Sequence, residues 1–185
     1  LARMRAAAVA TATGCDAARA AIRPGVTERA VQVEIEAAFF RAGGDRTAYG
    51  TIVGTGSNAG VLHFTPGARA IAKDDVVLID AGAEIRRYCA DVTRTYPASG
   101  TWSGFAKDLF EVVLATEREG VAACVAGARW LDVHLAACRR ILGGLRDLGL
   151  LRGEVDGLLD QGANMLFFPH GIGHMVGLGV RDVGP

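Results

Sequence analysis

Apolar positions recur every three or four residues through the first forty residues, then the rhythm changes. Ala2 to Ile22 is an alanine- and arginine-rich stretch closed by Pro24-Gly25, which predicts a helix followed by a turn. In VTERAVQVEIEAAFFRAGG, Thr27 is a suitable N-cap, and Val31, Ile35 and Phe39 fall on one face. Gly43-Gly44 then supplies the stop. TIVGTGSNAGVLHFTPG breaks into short apolar pieces separated by Gly, Asn and Pro, predicting strands and a loop. From Asp74 the pattern is β. A buried-type run, Val76 to Ile79, leads to Asp80 and a small-residue turn. RRYCADVTRTYP follows as a second strand ending at Pro97. Helical spacing returns at Phe105, Leu109, Val112, Val113 and Val121, and again in WLDVHLAACRRILGGLRDLGL. The remainder is glycine-rich with short apolar pieces that read as strands. Helices flank a β-hairpin without a βαβ rhythm, so the pattern predicts an α+β fold: a mostly antiparallel sheet covered by helices on one face. The order helix-helix-strands is traced twice, although no sequence repeat or low-complexity linker is visible.

Composition narrows the class. The 185 residues suffice for one well-packed domain, 50% of them are hydrophobic, and 20 basic residues balance 20 acidic ones. Zero formal charge removes the electrostatic argument for nucleic acid or an acidic membrane surface. No apolar run is long enough to span a bilayer. The opening LARMRAAAVATATG is too weakly apolar for a signal peptide and continues into a helix; beginning with Leu, the chain reads as a segment or processed product. Cys15, Cys89, Cys124 and Cys138 are scattered, with no CxxC pair, which predicts buried or idle thiols in a reducing compartment and a cytoplasmic location.

Candidate chemistry is confined to a few residues. Asp80 ends an apolar strand, and Asp91 lies in the neighbouring one, flanked by small or apolar residues. The turn between them folds the strands back, so the two carboxylates can meet. Two anionic groups at short range in a low dielectric repel, and a cation removes that cost. Turn capping by Asp80 and pairing of Asp91 with Arg86 or Arg94 is the structural alternative. His170 and His174 stand four apart in HGIGH; Gly171 and Gly173 argue against a helix, but on an extended strand both imidazoles share a face. A glycine-rich turn with two half-exposed histidines is the alternative. His63, on an apolar strand, reads by itself as a satisfied core residue. His134 reads as part of a helical face, and Tyr49 and Trp102 as packing residues. VGTGSNAG lacks the Lys and context of a phosphate loop, and no GxSxG or GxGxxG is present. Carboxylates with imidazoles favour Mn, Co, Fe or Zn over thiolate chemistry.

RPGVTE (23–28), AYGTIVGTGSNAGVLHF (48–64), VVLIDAGAEIRRYCADVTRTYP (76–97) and FPHGIGHMVGLGVRDVG (168–184) resemble, in order, the pita-bread metallopeptidases. That family includes aminopeptidase P, prolidase and methionine aminopeptidase, and HGIGHMVGLGV is closer to the first two. The resemblance implies a pita-bread fold with a curved sheet and an incomplete second half. Residues 1–185 would form a partial catalytic domain without the family's N-terminal domain. It further implies a cytoplasmic metallo-aminopeptidase or dipeptidase that hydrolyses the bond between an N-terminal residue and proline. Two divalent metals are implied, manganese first, with cobalt or zinc as alternatives. Asp80 and Asp91 would be metal ligands, Asp91 bridging, and His174 would hold the other metal. His63 and His170 would contact the substrate and help stabilise the tetrahedral intermediate. The implied partner is a peptide with proline in second position, with no nucleic acid or membrane, and a homo-oligomer at full length.

Two departures qualify the resemblance. The family's two glutamate ligands follow HGIGH, and no acidic residue follows Asp182 here, so residues 1–185 alone are expected to be inactive. Arg181 stands where many relatives have a substrate-contacting His; it donates hydrogen bonds but cannot exchange a proton near neutrality. Two other readings on the same fold are a creatinase-like amidinohydrolase, disfavoured by Asp80 and Asp91, and a non-catalytic, chaperone-like binding module.

Overall fold

A computed structural model of the chain describes residues 1–183, which divide into two compact units: Leu1–Thr101 with the segment from Met175 onward, and Trp102–His174. In the first unit, α1 (Ala2–Ala21) and α2 (Glu28–Arg41) pack against each other. The buried face of α1 is Ala7, Ala10, Thr11, Gly14 and Ala18, small residues at helical spacing that permit close approach. The approach is closest at Gly14, where an added Cβ would lie 2.1 Å from the Phe39 ring. Thr27 caps α2 as expected, its hydroxyl accepting from Ala30 N–H at 3.1 Å. Val31, Ile35 and Phe39 are all buried, so the spacing named the right face.

Strands β1 (Arg46–Thr47), β2 (Ile52–Thr55), β3 (Val76–Ala81), β4 (Ala83–Ile85), β5 (Tyr88–Cys89) and β6 (Val92–Pro97) follow. They form two antiparallel three-stranded sheets, ordered β2-β3-β6 and β1-β4-β5. Val53, Val77, Ile79, Ala81 and Ala83 join the residues of α1 and α2 in one core. β3 alternates where the sequence suggested a run buried throughout. Val77, Ile79 and Ala81 are buried, while Val76, Leu78 and Asp80 point to the other, half-buried face.

The single second strand expected from RRYCADVTRTYP is interrupted. Arg86 and Arg87 form the tip of the hairpin with φ of 49° and 68°, so the strand begins only at Tyr88. A second break falls at Ala90-Asp91, where the chain passes from one sheet to the other. Gly82 marks the same break on the opposite strand. An added Cβ there would stand 1.8 Å from the Ala90 carbonyl oxygen, so only glycine admits this crossing. Asp80 and Asp91 flank the bend.

The second unit holds α3 (Gly104–Ala123), α4 (Trp130–Asp147) and the short α5 (Val155–Asp160). α3 and α4 pack together through Gly144, whose missing Cβ leaves room for Val112. Trp102 stacks on Phe110 at 4.2 Å between ring centroids. The expected strand through HGIGH is absent: residues 170–174 are irregular. Two glycines in five residues weaken strand formation, and among the described residues 170–174 belong to no strand. Among the described residues no helix is long and apolar enough to cross a membrane.

Candidate metal centre

The bend in the hairpin brings Asp80 and Asp91 to a common point. Register places Asp80 opposite Ile52 on one side and Thr93 on the other. Asp91 stands one residue before β6. Both carboxylates meet the hydroxyl of Tyr49, with Oδ1 of Asp80 at 2.5 Å and Oδ1 of Asp91 at 2.9 Å. Tyr49 is held there by the backbone: Ala48 N–H donates to the Gly82 carbonyl at 2.8 Å, and the Tyr49 ring lies 3.0 Å from where a Gly82 Cβ would be. Gly82 thus makes room both for the strand crossing and for the tyrosine. The structure shows Tyr49 joining the two aspartates.

A phenol carries one proton, which satisfies one carboxylate at a time. Burial raises the Asp80 pKa, and the charge of Asp91 adds to the rise. The Tyr49 hydrogen bond, the Thr93 hydroxyl and the charge of His63 oppose it. Burial, then hydrogen bonding to Asp80, also pushes the Tyr49 hydroxyl well above its ordinary range. Two hard carboxylates converging on one polar atom make a donor set suited to an oxygen-seeking divalent cation. Among the described residues, no three or more His, Cys, Asp and Glu side chains are gathered as a complete ligand set.

His63 is neither on a strand nor in the core. It is exposed in a turn after the 3₁₀ segment Gly56–Gly60, with φ of 54°. The expectation of a satisfied core histidine fails because the Gly- and Asn-rich sequence before it turns rather than extends. Its field nevertheless reaches Asp80. Arg181 is exposed in the segment that adds to the hairpin edge, where Cys89 N–H donates to Gly177 O and Gly179 N–H to Arg87 O, each at 3.0 Å. Asp182 closes that segment by accepting from Leu178 N–H at 2.9 Å.

His170 and His174 belong to the second unit. The His170 ring stands edge-on to Phe168, with centroids 4.8 Å apart, and its Nδ1 lies 3.0 Å from Gly171 O. His134 is more than a helical surface residue: its Nε2 lies 3.6 Å from Cys138 Sγ, and its Nδ1 is buried without a partner among the described residues. The four cysteines are free thiols, Cys89 and Cys138 buried and Cys124 exposed. Sequence reasoning missed Tyr49. The signal available was its place one turn of chain before an apolar strand, too weak to separate it from a packing tyrosine.

Two helices backing an antiparallel hairpin, with paired carboxylates at its bend, make an α+β unit. The sequence pattern of metallopeptidase family M24 matches residues 2–185, and the chain belongs to that family. It is 38% identical over 162 residues to the Xaa-Pro aminopeptidase of Escherichia coli strain K12, covering 88% of this chain and 37% of that protein. The Haemophilus influenzae Xaa-Pro aminopeptidase is 38% identical over 174 residues, 94% of this chain and 40% of its own length. Among solved structures, Pseudomonas aeruginosa aminopeptidase PepP superposes with a TM-score of 0.96 at 40% identity, over 99% of this chain and 41% of that one. Zn-substituted E. coli aminopeptidase P in complex with product superposes with a TM-score of 0.96 at 37% identity, over 100% of this chain and 42% of that one. The chain therefore spans about two fifths of the length of these relatives.

Proposed function

We propose that the chain is part of the catalytic domain of a metal-dependent aminopeptidase that hydrolyses the bond between an N-terminal residue and proline. The observation that carries this reading is the convergence of Asp80 and Asp91 on the Tyr49 hydroxyl. Their repulsion is relieved when a cation sits between them. The names of the 36–40% identical relatives supply the substrate class.

In this reading Asp80, Asp91 and His174 hold divalent metal, manganese first and cobalt or zinc as alternatives. When bound, such ions lower the pKa of a water and offset the charge developing on the scissile carbonyl oxygen. The chain's own residues do the remaining work. Tyr49 fixes the rotamers of both carboxylates, which orients their free oxygens. The exposed His63 and His170 donate hydrogen bonds to the peptide and to the tetrahedral intermediate. Arg181 contributes a fixed positive charge that does not exchange protons near neutral pH. The leaving prolyl nitrogen must be protonated, a step for which the relevant acid is not among Asp80, Asp91 and Arg181.

The test is hydrolysis of Xaa-Pro peptides by the full-length protein after metal removal and after manganese is returned, with Asp91→Ala as control. Restoration by manganese in the parent and its loss in the variant are expected. Metal-independent cleavage, or an Asp91→Ala protein of unchanged activity, overturns the reading. For residues 1–185 alone the reading expects weak manganese binding and no turnover.

A further inference from the structure

Glu28, the first residue of α2, is fully buried at 0% exposure, and no part of the proposed chemistry uses it. A carboxylate taken out of water without compensation is costly, so its partners state its purpose. Oε1 accepts from Thr55 N–H at 2.9 Å, from the Thr55 hydroxyl at 3.0 Å and from Asn58 Nδ2 at 2.9 Å. Oε2 accepts from Gly67 N–H at 3.3 Å. All four are donors, and they come from both ends of one loop. The Thr55 hydroxyl also accepts from the Arg69 guanidinium, which is itself paired with Asp75 at 2.6 Å. The helix start is tied to the same loop by its backbone, through Glu28 N–H to Arg69 O at 3.1 Å and Arg29 N–H to Gly67 O at 3.0 Å.

His63 lies between these pins. Its imidazole is exposed, so packing does not fix it, and its φ of 54° is a conformation a histidine keeps only when the surrounding chain imposes it. Val61 N–H donates back to Asn58 O at 3.1 Å, carrying the constraint from the pinned Asn58 to within two residues of His63.

We propose that Glu28 is a positioning residue: by holding Thr55, Asn58 and Gly67 it fixes the loop that carries His63. The loop-fixing half stands on geometry alone; the consequence for turnover rests on the peptidase reading and on His63 as a substrate contact. Glutamine is the informative replacement, because it keeps the shape but turns an amide N–H₂ toward a group that is itself a donor.

The experiment compares the parent, Glu28→Gln and Asn58→Ala in the full-length protein by amide hydrogen exchange and by the NMR resonances of the His63 ring, assigned with His63→Ala. In Glu28→Gln the Thr55 and Gly67 amides should exchange about tenfold faster or more, and the His63 resonances should move, while Val77 and Ile79 amides hold. Asn58→Ala should move His63 the same way by a smaller amount. Xaa-Pro turnover should fall about tenfold in Glu28→Gln, yet change by less than about twofold when the substitution is made on His63→Ala. Unchanged His63 resonances with unchanged Thr55 and Gly67 exchange in Glu28→Gln overturn the proposal. So does a loss that persists at full size in the His63→Ala background, since that marks a general structural role. A parent protein without Xaa-Pro cleavage defeats the peptidase reading instead, and the resonances and exchange rates then decide the positioning role alone.

Discussion

Tyr49 holds the two aspartates with a single proton, and that sets what its removal does. Tyr49→Phe leaves the ring against Gly82 but withdraws the donor from two half-buried carboxylates. The metal-free protein should lose about 1–3 kcal/mol, read from urea midpoints. Asp80 titrates in the opposite sense to most structural carboxylates. Its folded pKa is raised, chiefly by burial, so the folded state holds a proton that the unfolded chain releases. Metal-free stability should therefore fall as pH rises from the ordinary aspartate range through the raised value, and Asp80→Asn should remove that fall. Asp75 behaves the other way. The Arg69 hydrogen bond holds its carboxyl below the usual value, so its contribution is present above the unfolded pKa and is lost as pH falls through the folded one. Asp75→Asn should flatten the acid limb of the stability profile, measured by urea midpoints between mildly acidic and strongly acidic buffers.

At the scale of elements, missing side chains matter as much as present ones. Gly14 and Gly82 are both glycine because another element occupies the space of a Cβ: the Phe39 ring in one case, the Ala90 carbonyl in the other. The two differ in what can yield. A ring can shift, so Gly14→Ala should cost about 1–3 kcal/mol, partly recovered by a smaller residue at position 39. The Ala90 carbonyl cannot shift without moving Asp91 with it. Gly82→Ala should thus weaken manganese binding, by calorimetry, more than it lowers thermal stability relative to Gly14→Ala. Equal loss of metal affinity in both variants would show that the bend does not set the carboxylates.

For the molecule as a whole, binding and folding are linked. A cation that binds only the folded chain stabilises it by about 2.7 kcal/mol at one hundred times its dissociation constant. Manganese should raise the melting temperature of the full-length protein, and Asp91→Asn should abolish the rise. The same variant, freed of one half-buried charge, should melt no lower than the parent when both are metal-free. A manganese-induced rise that survives Asp91→Asn places the binding elsewhere.

Much of this is legible in the sequence. Helical spacing named the buried face of α2, the Thr27 cap and both glycine stops, because those are local consequences of backbone geometry. That Asp80 and Asp91 could come together was also legible, since the turn between them folds the chain back on itself. What the sequence could not express was set by contacts between distant residues. Tyr49 meets Asp80 and Asp91 across 31 and 42 positions, and nothing near Tyr49 in sequence marks it as a hydrogen-bond donor. His63 looked like a core strand residue because its neighbours are apolar, yet it lies in a turn whose ends are held by Glu28. Local pattern fixed the four long helices and the buried face of α2; only tertiary structure decided which polar side chains meet, because a hydrogen bond depends on position in space and leaves no period in the chain.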